Sequence, residues 1–159
     1  MSDSHHDTAQ ICMNGHSINA WSVEYPQFNQ DHCSKCGEKT IQECQDCHSP
    51  IKGRSKESLH IAEYVPPSYC HKCGSAYPWT ESMLEAAKEL ADELDGISDE
   101  EKEKLKETFK DLVSEGPKTK LAETRFNKIM KKVGKEGLDG MRSILIDIVS
   151  ETVRKSLFG

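Results

Sequence analysis

The sequence predicts a small α+β protein: short antiparallel strands in a cysteine-rich N-terminal part, followed by a C-terminal α-helical region of about four helices. Three observations carry this. All seven cysteines fall within residues 1–79. The same stretch holds five of the six prolines and both tryptophans, while residues 80–159 keep one proline in a dense alternation of charged and aliphatic positions. Those aliphatic positions recur with the helical period between start and stop signals. A boundary near Pro78 to Thr80 follows, giving domains over 1–79 and 80–159.

The cysteines come in short pairs, Cys12-x3-His16, Cys33-x2-Cys36, Cys44-x2-Cys47 and Cys70-x2-Cys73. A pair at this spacing places both donors on one ion with a tight turn between them, and four pairs supply the eight ligands of two tetrahedral zinc sites. Seven cysteines suit a disulfide framework poorly, because one must stay unpaired. One site of three cysteines and a histidine plus one of four cysteines uses them all.

Four knuckles can share two ions in three ways. The sequential scheme joins Cys12, His16, Cys33 and Cys36, then Cys44, Cys47, Cys70 and Cys73, and leaves 16 and 22 residues between knuckles. Gaps of roughly 15 to 20 residues are the familiar zinc-ribbon pattern, so this scheme is favoured. The rival joins Cys33 and Cys36 to Cys44 and Cys47 across only seven residues, Gly37 to Glu43, and forces Cys12 and His16 to reach Cys70 and Cys73. The interleaved third scheme has no positive support. His16 is the eighth ligand by its spacing from Cys12, with His32 in reserve. His5 and His6 lie in a polar, frayed-looking N-terminus, and His48, His60 and His71 read as surface residues.

The segments Cys12-Met-Asn-Gly-His16, Cys33-Ser-Lys-Cys36-Gly37, the run from Thr40 to Gly53, and Tyr69-Cys-His-Lys-Cys73-Gly-Ser-Ala-Tyr-Pro-Trp79 together resemble a bacterial zinc-ribbon family, domain of unknown function 2321. The helical tail is similar too. The resemblance covers nearly the whole length and implies a cytosolic bacterial double zinc ribbon fused to a helical region. It brings no activity with it.

Strands are expected at Thr40-Ile41, Ile51-Lys52 and Leu59 to Val65, where β-branched and aromatic residues recur between turn signals. Gly37 and Gly74 follow their knuckles where a positive φ is useful. Gly53 to Ser58 reads as the exposed tip of the second ribbon. So little aliphatic content makes this half depend on bound metal for its fold.

Four helices follow. Thr80 can cap the first, with Met83, Leu84, Ala87, Leu90, Ala91 and Leu94 on its apolar face and Gly96 as its stop. Ser98 and Glu101 form a capping box for the second, whose face is Leu105, Phe109, Leu112 and Val113 before Gly116-Pro117. The third starts near Thr119 and buries Leu121, Ala122, Phe126, Ile129, Met130 and Val133. The fourth carries a wide stripe from Leu138 to Leu157 that leaves Ile146 and Phe158 to one side. Such leftover apolar surface opens a route to self-association through this helix. Asp147, Glu151, Arg154 and Lys155 keep it from spanning a membrane.

Charge bears on partners. The formal total is -6, and two loaded sites with seven thiolates would take it to about -9. Residues 1–79 hold six Lys or Arg against nine Asp or Glu, a balance unlike the basic face of nucleic-acid binders. Residues 81–115 carry five basic and thirteen acidic side chains, and residues 116–159 ten basic and five acidic, so the helix pairs should attract each other. Lys128, Lys131, Lys132 and Lys135 form the one basic cluster that could hold an anion.

Closed four-ligand sites read as structural zinc, and there is no nucleophile elbow, phosphate loop or metalloprotease motif. The expectation is therefore a non-enzymatic, cytoplasmic adaptor that recognises another protein through exposed candidates Trp21, Tyr25, Phe28, Tyr64, Tyr77 and Trp79. A nucleic-acid-binding zinc ribbon is the alternative, and electron transfer by iron in the same thiolate sites is a minor one. The polar stretch from Met1 to Gln10 has no apolar signal core.

Overall fold

The computed structural model describes residues 5–57 and 63–159. The chain divides into two compact units, Met1–Glu81 and Ser82–Gly159.

Among its described residues the first unit holds five short strands: β1 His6–Thr8, β2 Gln10–Cys12, β3 Ser17–Asn19, β4 Thr40–Ile41 and β5 Lys52–Ser55. β2 is the middle of a three-stranded antiparallel sheet in the order β3-β2-β4, with Ile11 opposite Ile41 and Cys12 opposite Thr40. β1 pairs with β5 in a second, two-stranded sheet. The Ala9 N–H donates to the Ile51 carbonyl at 2.8 Å and ties the two sheets together. Ala9, Ile11, Ala20, Ile41 and Ile51 are buried at the join, a core with few carbons, as the composition implies.

Several strand expectations change. β1 forms where the sequence reads as frayed, because buried Asp7 accepts the N–H groups of Thr8, Val23 and Glu24 at 2.6, 3.0 and 3.1 Å. Polar bonding takes the place of an apolar signal there. Of the stretch read as a ribbon tip, residues 53–55 belong to β5, with Gly53 buried, Lys56 and Glu57 form a turn, and Ser58 lies outside the described residues. Of the strand expected over Leu59 to Val65, residues 59–62 lie outside the described residues, and 63–65 form no strand.

Five helices follow: α1 Pro78–Glu93, α2 Asp99–Val113, α3 Thr119–Met130, α4 Lys135–Leu145 and α5 Glu151–Phe158. α1 begins at Pro78, a residue suited to the first turn. Thr80 is therefore no cap. It is buried, and its hydroxyl donates to the Ser68 carbonyl at 2.8 Å. The Ser98–Glu101 capping box of α2 is present in both directions.

The fourth expected helix divides into α4 and α5 because Ser150 takes the extended conformation and accepts the Val153 N–H, capping a new helix inside the apolar stripe. Phe109, Leu112, Phe126, Met141, Leu145 and Val153 make the core of this unit, with α3 packed against α2 and α5. Phe158 packs edge-on against Phe126 at 5.9 Å, which uses part of the apolar surface lying off the stripe. Leu121, expected to be buried, is exposed. Among the described residues no helix is long and apolar enough to cross a membrane.

Candidate metal centres

Three knuckles share one backbone design. In each, the N–H of the first cysteine donates to the carbonyl five residues on: Cys33 to Glu38, Cys44 to Ser49 and Cys70 to Ser75, all at 2.8 Å. The N–H four residues on returns to the cysteine carbonyl, from Gly37, His48 and Gly74. A bridge brackets each turn, pairing His32 with Lys39, Glu43 with Pro50 and Tyr69 with Ala76. The fourth knuckle is wider. There the Cys12 N–H donates to the His16 carbonyl at 3.0 Å, and the His16 N–H approaches the Cys12 sulfur at 3.3 Å.

These turns bring the predicted residues together in two sets, Cys12, His16, Cys33 and Cys36, and Cys44, Cys47, Cys70 and Cys73, with all donor atoms of a set within 4.8 Å of one another. This is the sequential scheme, and His16 completes the first set through Nδ1 while His32 stands outside it. In the first set Cys12 Sγ lies 3.7 Å from Cys36 Sγ and 3.4 Å from His16 Nδ1, and Cys33 Sγ lies 3.5 Å from that nitrogen. In the second, Cys44 to Cys73 and Cys47 to Cys70 are both 3.7 Å.

A tetrahedral ion with metal–sulfur bonds of about 2.3 Å sets sulfur–sulfur edges near 3.8 Å, and sulfur–nitrogen edges near 3.6 Å. The observed separations match those edges. They are far longer than the roughly 2.05 Å of a disulfide, and the cysteines are free thiols.

The electrostatics also favour a cation. Burial pushes the Cys12 and Cys44 thiols up to about 11. Burial acts the same way on Cys70, but the N–H groups of Cys73 and Lys72 and the neighbouring thiols outweigh it and bring Cys70 down to about 6. The N–H groups of Lys35 and Cys36 likewise win over burial at Cys33. The Glu38 N–H lowers Cys36, and the Ser49 hydroxyl and N–H lower Cys47. Knuckle amides thus favour negative charge on Cys33, Cys36, Cys47 and Cys70, the charge a divalent ion would stabilise further.

Two residues offered as exposed are not. Tyr77 and Trp79 are buried, stacked at 4.7 Å, and the Trp79 Nε1–H donates to the Pro67 carbonyl at 3.0 Å. The Tyr64 hydroxyl donates to the Lys52 carbonyl. Val23, Tyr25 and Phe28 are exposed, at 68%, 43% and 63%. Phe28 borders an open groove lined by Ile18, Trp21, Gln30, Arg54, Glu63 and Tyr64. The lysine cluster is divided: Lys132 pairs with Glu101 at 2.8 Å, and Lys128 and Arg125 share their groove with Glu100 and Glu107.

Fold and site define a small α+β protein with two four-ligand clusters that could hold metal ions. The chain belongs to the family described as "Uncharacterized protein conserved in bacteria (DUF2321)", whose model matches residues 5–157. No curated protein and no solved structure matches it.

Proposed function

We propose that the protein is a non-enzymatic zinc-binding adaptor, working in a reducing, cytoplasmic setting, in which two structural ions hold the first unit rigid for recognition of another protein. The observation that carries the reading is that each cluster offers four protein donors at tetrahedral separations, which leaves a bound ion no open position for substrate or water. Thiolate with imidazole suits zinc, and a purified protein that is colourless rather than red would set iron aside.

Support for a protein partner comes from Val23, Tyr25 and Phe28, large apolar side chains that this unit leaves exposed, as it does Val65. The acidic balance of residues 1–79 weighs against nucleic acid. The test compares wild type with a Val23→Ser, Phe28→Glu double variant. Both should carry two zinc ions, and a protein captured stoichiometrically by the wild type should be lost from the variant. Tight binding of DNA or RNA by the wild type at physiological salt, unchanged in the variant, would replace this reading with the nucleic-acid one.

A further inference from the structure

The loop from Trp21 to Asp31 is held in place by two buried polar side chains. Asn19, 7% exposed, accepts the Trp21 N–H at 3.0 Å and donates to the Tyr25 carbonyl and the Asn29 side chain at 2.9 and 2.8 Å. Asp7, 5% exposed, accepts the Val23 and Glu24 N–H groups. Asn29 in turn donates to the Ser22 carbonyl at 3.1 Å, and Pro26–Phe28 form a short 3-10 turn. The backbone fixed in this way leaves Val23, Tyr25 and Phe28 exposed, and Trp21 meets Tyr25 edge-on at 6.5 Å. A surface ordered before binding loses little conformational entropy when a partner arrives.

Charge narrows the kind of partner. No lysine or arginine occurs from Met1 to Ser34, while Glu24 and Asp31 are exposed in the loop. The groove beside Phe28, of about 540 Å³, is lined by the rings of Trp21, Phe28 and Tyr64, with Glu63 as its carboxylate and Arg54 as its cation among the described residues. Three carboxylates thus stand against one guanidinium. An acidic segment would meet like charge here, and a neutral apolar one would bring no counter-charge to Glu24, Asp31 or Glu63. A guanidinium or ammonium group can pair with a carboxylate and lie on an aromatic face at the same place.

We propose that this loop and groove dock a segment of a partner protein that is rich in arginine or lysine and has apolar residues between them. The proposal deepens the adaptor reading of Val23, Tyr25 and Phe28 and rests on it. The partner's cationic side chains pair with Glu24, Asp31 and Glu63 along the rings of Trp21 and Phe28, and its apolar residues cover Val23 and Phe28.

The test titrates the zinc-loaded full chain, by fluorescence anisotropy at physiological salt, with three labelled peptides of one length. All carry leucine at the same positions, with arginine, serine or glutamate at the others. A Glu24→Lys, Glu63→Lys variant reverses the loop charges, and a Glu85→Lys, Glu89→Lys variant makes the same change in net charge at exposed positions of α1. The arginine peptide should bind about tenfold tighter than the other two, and the loop reversal should remove that advantage while the α1 reversal leaves it. An arginine peptide that binds no tighter than the others contradicts the proposal. Equal weakening by both reversals also overturns it, since the attraction would then belong to the acidic chain as a whole. Self-association of the chain that Phe28→Glu abolishes would put a second copy on this surface instead. If the serine peptide bound as tightly as the arginine peptide and both were lost with Val23→Ser, Phe28→Glu, the basic partner would fall and the adaptor reading would stand. If no peptide's binding depended on Val23 and Phe28, the adaptor reading would fall with it.

Discussion

His48 takes, at φ +63°, the left-handed backbone position that Gly37 takes at +79° in the preceding knuckle. Gly74 repeats it at +78°. A non-glycine residue there carries strain of about 1 to 2 kcal/mol, which histidine tolerates better than most. His48 Nδ1 also lies 3.1 Å from the Glu43 carboxylate on the exposed rim. His48→Gly should therefore raise the stability of the metal-loaded protein by about 0.5 kcal/mol, and the β-branched His48→Val should lower it by about 2 kcal/mol. Thermal unfolding of the loaded variants checks the order.

Gly53 lets three backbone segments meet. A Cβ at this position would stand 2.5 Å from the Ala20 oxygen, 2.7 Å from the Asp7 oxygen and 3.0 Å from the Ala9 nitrogen. None of these is a side chain that can swing away. Gly53→Ala should cost about 3 kcal/mol and part β1 from β5, seen as faster amide exchange at Ala9 and Arg54, whose N–H groups bond across this junction.

Metal removal should divide the chain's behaviour. The first unit has a thin core around two clusters, whereas the second buries Leu105, Phe109, Leu112, Phe126, Met141 and Leu145. A strong chelator should therefore abolish amide protection in β2 and β4 while α2 and α3 keep theirs. Hydrogen exchange with and without chelator reads this directly, and simultaneous loss in both units would contradict it.

Glu101 is held below its ordinary carboxylate value of 4.5, first by the Lys132 ammonium at 2.8 Å and then by the Ser98 N–H at 3.2 Å. A carboxyl depressed in the folded state stabilises above its ordinary value, and that contribution is lost as pH falls through the depressed one. Glu101→Gln should thus be less stable than wild type at neutral pH, with the difference closing below about pH 4.5. Ser98→Ala should cost about 1 kcal/mol at neutral pH, and less once Glu101 is protonated, because its hydroxyl also donates to that carboxylate. Urea unfolding followed by helical ellipticity at both pH values checks the pair.

What was legible in the sequence was what spacing alone encodes. The grouping of the eight candidate ligands followed from the lengths between knuckles, Gly37 and Gly74 from the turn they close, and the start of α2 from Ser98 and Glu101. β1 was hidden because its stabilisation lies in Asp7 bonding to distant backbone N–H groups, which leaves no apolar alternation to read. The break between α4 and α5 was hidden inside a continuous apolar stripe, where Ser150 caps without a reciprocal glutamate. Tyr77 and Trp79 looked available because aromatics near a metal knuckle can face either way. The bonds from Trp79 to Pro67 and from Tyr77 and Thr80 to Ser68 turn the start of α1 inward.

X-ray absorption at the metal edge, combined with native mass spectrometry of the purified chain, tests the central claim most directly. Two zinc ions per chain are expected, with an average shell of seven sulfurs to one nitrogen and no oxygen scatterer. Fewer than two ions, or a bound water in the shell, would contradict it.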